Sequence, residues 1–379
     1  MEQIQKEAKK NGYEAYSFYG RGKPSNKNCF KIGNKLDIYW NVFLTRFFDK
    51  HGYGSKRATR RLVKRIKQIN PSIIQLHNIH GYYLNLEILF DYLKEANIPV
   101  VWTLHDCWPF TGHCSNFMTV KCEKWKRQCN DCPQIRLYPA SWIADNSFKQ
   151  FELKKNLFTR IKNLTIVTPS NWLSNLVKKS FLKDYNIRVI NNGIELEKFR
   201  PKNTINIREK YNIPSEKKII LGVASVWDNR KGLDDFIELS KIIDENYIII
   251  LVGLKKQQIN NLPPNIIGIE RTENIEELAN IYTQADVFVN PTYEDNFPTT
   301  NLEALACGTP VLTYDTGGSR ESIDEQCGKA ISRGNIQELK ENIENNKLES
   351  EACVHRAEIY RSSTKYMEYI ELYEKVLGD

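Results

Sequence analysis

No apolar run in this sequence approaches the length that a membrane-spanning helix needs, and its opening residues, MEQIQKEAKKNGYEAY, lack the apolar core of a secretory leader. Those absences point to the cytoplasm, with attachment to the inner face of the cell membrane left open. There is no internal repeat and no low-complexity tract, which excludes a solenoid or a disordered linker protein. No recognised nucleic-acid-binding motif is present either.

What is present is a chain of 379 residues, 41% hydrophobic and 26% charged. That composition is globular and the length exceeds one ordinary core, so two domains of similar size are expected, with a cleft between them. The net charge of +8 hides an asymmetry. Residues 1–200 carry 34 Lys+Arg against 16 Asp+Glu, a net +18, while residues 201–379 carry 20 against 30, a net −10. A basic front half suits an anionic partner such as a membrane surface, a phosphate-bearing acceptor or nucleic acid, and charge alone does not choose among them. The acidic back half would be repelled by nucleic acid, so no nucleic-acid partner is expected.

Strand-like apolar runs alternate with amphipathic stretches, the pattern of parallel sheets flanked by helices. In the front half the runs are SIIQLHN, PVVWTLHD, LTIVTPS and IRVINNG; in the back half they are KIILGVAS, YIIILVG, NIIGIE, DVFVNP and PVLTYD. The fold class is therefore α/β, with two doubly wound, Rossmann-like domains. Residues 1–192 form the first, completed by a C-terminal helix at 361–379, and residues 193–360 the second, with the hinge in NNGIELEKFRP. Ligands of such sheets bind beyond the carboxyl ends of strands, which gives priority to His105, Ser225, Gly253 and Asp295.

The stretch YEDNFPTTNLEALACGTPV sets Asp295 before a helix and Glu303 within it. Pro298 suits the first helical turn, and Gly308 the end. Backbone N–H groups from Phe297 through Pro298 and Thr299 to Thr300 would surround an anion site able to hold a pyrophosphate, with Glu303 accepting hydrogen bonds from a sugar or ribose hydroxyl. The alternative is a capping Asp295 and a solvated Glu303. Upstream, VWDNRKGLDDF places Arg230 and Lys231 at a strand end, where two cations could neutralise a diphosphate leaving group; a plain Lys-Gly turn is the other reading.

Cys114, Cys122, Cys129 and Cys132 crowd into HCSNFMTVKCEKWKRQCNDCP. Four thiolates ending in C-x-x-C fit a structural zinc site, which would pin a loop without taking part in chemistry; reduced thiols that pack the loop are the alternative. SKRATRRLVKRIKQINP reads as a basic amphipathic helix and LDIYWNVFLTRFF as an aromatic-rich segment before it. Either an ordinary surface helix beside a core helix or a platform for an anionic membrane follows.

The combination LHDCWPFTGHC, VTPSNWLS, NNGIELEKF, VWDNRKGL, YTQADVFVNP and EDNFPTTNLEALACGTPV resembles the retaining glycosyltransferases of family 4, with the GT-B fold, in the branch that builds bacterial exopolysaccharide and O-antigen. The resemblance implies a hexosyltransferase that uses a UDP- or GDP-linked sugar and a glycan or lipid-linked acceptor, with no cofactor required for catalysis. It places Asp295 on the donor sugar, Glu303 on the ribose, Lys231 on the diphosphate and His105 near the transferred sugar. The family's usual Arg position reads as Ser225, and Arg230 supplies the charge instead. Relatives begin with a strand and a Gly-rich loop before the first helix; this sequence starts inside what reads as that helix, so both are expected to be missing. A catalytically impaired relative and a nucleotide-sugar epimerase on the same fold are the competing readings, with a basic nucleic-acid-binding protein behind them.

Overall fold

A computed structural model describes residues 2–22 and 27–378. The chain divides into two compact units, Met1–Ile190 with Tyr366–Asp379, and Asn191–Lys365.

In the first unit, β1 (Ser17–Tyr19) and β2 (Cys29–Lys31) form a two-stranded parallel sheet. A separate four-stranded parallel sheet runs in the order β3 (Ile74–Leu76), β4 (Val100–Thr103), β5 (Leu164–Thr168), β6 (Asn186–Val189). Every residue of β4 and β5 is buried, as expected for parallel strands covered on both faces. Alternation sends Val100 and Trp102 into one core cluster and Val101 into another. The second cluster is closed by helix Ser362–Gly378, which begins in the second unit and buries Tyr369, Ile370, Leu372 and Tyr373 in the first. Tyr373 donates to Gln75 Oε1 at 2.9 Å, and the Tyr369 hydroxyl lies 3.2 Å from Thr103 Oγ1.

The second unit holds a six-stranded, wholly parallel sheet. Its strands are β7 (Lys218–Val223), β8 (Tyr247–Val252), β9 (Ile266–Ile269), β10 (Val287–Asn290), β11 (Val311–Tyr314) and β12 (Gly328–Ile331), in the spatial order β12-β11-β10-β7-β8-β9. Ile219 and Leu221 face one core cluster, which includes Tyr282, Leu302 and Leu305, while Ile220 faces the other, with Phe236 and Leu339. Helices thus cover both faces. The order reverses between β7 and β10, where the crossover connections leave in opposite directions and open a crevice at the carboxyl ends of the strands.

All nine runs read from the sequence contain a strand, and β1, β2 and β12 are additional. Helix Lys35–Phe48 departs from the expectation of a core helix. Its buried residues are Asn41 and Thr45, while Leu36, Tyr39, Trp40, Phe43 and Phe48 are exposed. Asn41 explains the inversion: it donates to Ser55 Oγ at 2.6 Å and accepts from Gly54 N–H at 3.0 Å, so the polar face is the one fastened to the fold.

Candidate active site

The switch point of the second unit is where the predicted donor residues meet. β7 ends at Val223, and the chain passes Ser225, which is exposed, into a 3-10 turn over Asn229–Lys231. Asp228 Oδ1 accepts the Lys231 N–H at 3.0 Å, and Gly232 at φ 75° ends the turn. No side chain fits at that glycine, because a Cβ would lie 2.3 Å from the Pro291 carbonyl oxygen. The close approach fastens the turn to the loop after β10, where the Tyr293 N–H donates to the Arg230 carbonyl at 2.8 Å. Lys231 Nζ is thereby brought to 2.5 Å from Asp295 Oδ2, joining two of the predicted residues in an ion pair. Arg230 is exposed beside them.

Two further glycines shape this crevice. Gly253, at φ 98° after β8, would place a Cβ 1.7 Å from the Ala224 carbonyl oxygen, so β8 exits hard against the end of β7. Gly317, at φ 57° after β11, would place one 1.8 Å from the Asp295 carbonyl oxygen, and Gly318 N–H donates to that oxygen at 3.2 Å. The Asp295 loop is held from both sides by backbone, which fixes its side chain at the strand ends.

Helix Thr299–Ala306 follows. Pro298 stands one residue earlier than the sequence suggested: it is the N-cap, extended at ψ 122°, with no side-chain cap. The ring's fixed φ suits the capping position as well as the first turn, and either way the N–H that proline lacks is one the helix does not use. With no capping side chain, the first-turn N–H groups near Thr299 and Thr300 remain available to an anion. Phe297 is buried, packed edge-on to Tyr360 at 5.5 Å between ring centroids, and its carbonyl accepts from Asn192 Nδ2 at 3.0 Å. It anchors the loop. Gly308, at φ 82°, follows the helix as expected.

Glu303 lies one turn into the helix and accepts a hydrogen bond from Tyr282 Oη at 3.0 Å. Burial raises its carboxyl to about 7, against the opposing pull of the Tyr282 hydroxyl. Tyr282 is fully buried and is a positioning residue that sequence reasoning missed, since an aromatic at helical spacing reads as core. Asn301 was missed too. It accepts from Asn290 Nδ2 at 2.8 Å and donates to Ser322 Oγ at 3.0 Å, which ties the helix to β10 and to the loop after β11.

His105 belongs to the first unit, two residues beyond β4. Its Nε2 lies 3.2 Å from His77 Nδ1, and burial depresses it to about 4, so the ring is neutral near pH 7. Asp106 beside it is half-buried; desolvation opposes its ionisation, yet His80 Nε2 at 3.0 Å and the Trp108 N–H keep its carboxyl below the usual range. His77, His80, His105 and Asp106 line one small depression.

Cys114, Cys122, Cys129 and Cys132 line a different cavity of the first unit. Among the described residues no three His, Cys, Asp or Glu side chains are gathered closely enough to hold a metal ion. His113 does not join the thiols: its Nδ1 lies 2.7 Å from Asp49 Oδ1 and its Nε2 3.4 Å from the Leu137 carbonyl oxygen.

The second unit is thus a doubly wound sheet with two acids, a lysine and an uncapped helix start at its switch point, and the comparisons name the kind of protein it belongs to. Residues 2–198 match the description "Glycosyltransferase Family 4" and residues 203–362 match "Glycosyl transferases group 1". The chain belongs to glycosyltransferase family 4. It is 24% identical over 361 residues to the putative colanic acid biosynthesis glycosyl transferase WcaC of Escherichia coli (strain K12), covering 89% of this chain and 84% of the relative. It is 28% identical over 218 residues to the N,N'-diacetylbacillosaminyl-diphospho-undecaprenol alpha-1,3-N-acetylgalactosaminyltransferase of Campylobacter jejuni, covering 52% of this chain and 56% of the relative. The structure of Anabaena HepE in complex with UDP superposes with a TM-score of 0.65 at 14% identity, over 95% of this chain and 99% of that one, a likeness of GT-B fold.

Proposed function

We propose that the protein transfers a sugar, with retention at the anomeric carbon, from a nucleoside diphosphate donor to a lipid-linked glycan during synthesis of bacterial surface polysaccharide. The observation that carries the reading is the Lys231–Asp295 pair at the switch point, with Glu303 on the adjoining uncapped helix. Glu303 would accept the ribose hydroxyls, the helix start and Lys231 would take the diphosphate, and Asp295 would turn to a hydroxyl of the sugar. As the bond to the diphosphate breaks, charge grows on its oxygen, and Lys231 with exposed Arg230 would stabilise it. The UDP held by HepE makes UDP the first nucleotide to try, with GDP second. Calorimetric titration of both into the protein and into Glu303→Ala is the test. Binding of one nucleotide, lost in the variant, is expected; no binding of either by the wild type would overturn the donor assignment.

The lipid-linked acceptor is supported by the inverted helix Lys35–Phe48. Its exposed Trp40 stacks on Phe43 at 5.5 Å, Phe43 packs on Phe47 at 4.8 Å, and Phe47 meets Trp142 at 5.7 Å, with Ile143 also exposed. All seven Lys and Arg residues of helix Lys56–Ile69 are exposed, and the two helices are joined through Asn41 and Ser55. Aromatic rings beside a field of cations fit the interface of an anionic bilayer. No helix among the described residues is long and apolar enough to cross a membrane. Flotation with phosphatidylglycerol vesicles should carry the protein upward, and Trp40→Ser with Phe43→Ser should release it; an unbound wild type at low salt would remove the membrane from the reading.

A further inference from the structure

We infer that Cys114, Cys122, Cys129 and Cys132 form a structural zinc site that staples the long irregular segment between β4 and helix Ser147–Phe158. Neither strand nor α-helix occurs in that segment, every residue of which is described; its helical pieces are the 3-10 turns Trp108–Phe110 and Lys124–Lys126. An ordered stretch of this length without secondary structure needs some other source of rigidity, since ordering its backbone is opposed by conformational entropy. Yet it buries Phe117, Trp125, Cys114 and Cys129.

Its backbone brings all four thiols to a single cavity. Asp131, between Cys129 and Cys132, takes a left-handed φ of 41°, which turns the two cysteines inward. Gly112 lets the segment close around Cys129, because a Cβ there would lie 2.7 Å from Cys129 Cβ and 2.2 Å from the Ser147 carbonyl oxygen.

An independent observation is Lys154. Its side chain is buried, with Nζ 2.8 Å from the Trp108 carbonyl oxygen and 3.8 Å from the centre of the Trp108 ring. Among the described residues it makes no ion pair with a carboxylate, and its helix, Ser147–Phe158, starts against Gly112 of the cysteine segment. Zinc replaces four thiol protons, which leave to solvent, and the resulting centre carries two negative charges. Lys154, buried on the helix that borders the segment, is the cation available to offset that charge. Binding would draw the sulfurs inward from their present spacing to about 2.3 Å from the ion. With His113 held by Asp49 and Leu137, four thiolates close the coordination and leave no open position for catalysis.

This inference does not depend on the glycosyltransferase reading. The test is elemental analysis of the protein purified without chelators from zinc-supplemented cells, followed by native alkylation read by mass spectrometry. One zinc per chain is expected, with Cys114, Cys122, Cys129 and Cys132 protected until a chelator is added. Cobalt substitution should give the intense visible bands of a tetrahedral thiolate site, absent in Cys129→Ser. If that variant fails to fold, the wild-type stoichiometry and alkylation still decide. Zinc well below one per chain, or a Cys114–Cys132 disulfide in the freshly purified protein, would overturn the assignment.

Discussion

Glu303→Gln should stabilise the unliganded protein at alkaline pH while weakening its hold on the nucleotide. The folded protein raises this carboxyl from 4.5 to about 7 by burial. In the unfolded chain it ionises near 4.5, so the folded state is undisturbed below that pH, loses stability as pH rises from 4.5 to 7, and carries the full penalty above 7. A shift of this size corresponds to ~3 kcal/mol, or about 2 kcal/mol after discounting for the solvent that still reaches the carboxylate. Glutamine keeps an oxygen for the Tyr282 hydroxyl and has no charge to desolvate. For a unit of this size the variant should melt on the order of 5 °C above wild type at pH 8, with the difference shrinking as pH falls and vanishing below the unfolded pKa of 4.5. Donor binding should move the other way, because ribose hydroxyls bond more strongly to a carboxylate than to an amide. Wild-type affinity for the nucleotide should rise about tenfold between pH 6 and 8, as the ionised fraction grows from about one-tenth to nine-tenths. The variant should show no such rise. Scanning calorimetry across pH and calorimetric titration at the two pH values read both effects. A variant no more stable than wild type at pH 8, or one that binds the nucleotide with unchanged affinity, would refute the reasoning.

Tyr282→Phe removes the hydroxyl that favours the ionised carboxylate, so the pH at which nucleotide binding strengthens should move upward while the neutral-pH fold, read by circular dichroism, persists. Lys231→Ala should lower kcat by about a hundredfold or more, the scale of losing one charge-stabilising group, with a smaller change in KM, measured by release of nucleoside diphosphate. An effect confined to KM would assign Lys231 to ground-state binding alone. Gly317→Ala forces a Cβ against the Asp295 carbonyl oxygen at 1.8 Å and should abolish donor binding, whereas Gly12→Ala, at a glycine with open space around it, should leave binding intact.

The parallel sheets were legible because Ile- and Val-rich runs such as KIILGVAS and YIIILVG are too short for a membrane-crossing helix and recur between amphipathic stretches, as buried parallel strands do. GKAI, SFY and CFK were not read as strands because they are short and carry few apolar residues. Asp295, Glu303 and Lys231 could be picked out by their places after strands, but their mutual geometry could not. The Lys231–Asp295 contact depends on Gly232 and Gly317 admitting backbone where any side chain would collide, and a glycine's neighbours are not written beside it. The choice between a core helix and an exposed aromatic platform stayed open for a related reason. Periodicity tells which residues share a face, not which face the fold keeps, and Asn41 with Thr45 decided that through partners distant in sequence.

The helix Ser362–Gly378 also sets an order on how the chain can acquire its structure. The sheet of the first unit is laid down early in the sequence, but the face bearing Val101 and Val167 is closed by Ile370 and Tyr373, which emerge from the ribosome only after the whole second unit. Until then only Ile4 and Ala8 of helix Glu2–Lys10 and Ile190 share that buried cluster, and the apolar face is left incompletely covered, a surface prone to aggregation in a nascent chain. The second unit, continuous from Asn191 to Lys365, has no such wait. The crevice at its β7–β10 switch point can therefore be complete while the other half of the chain is still unfinished.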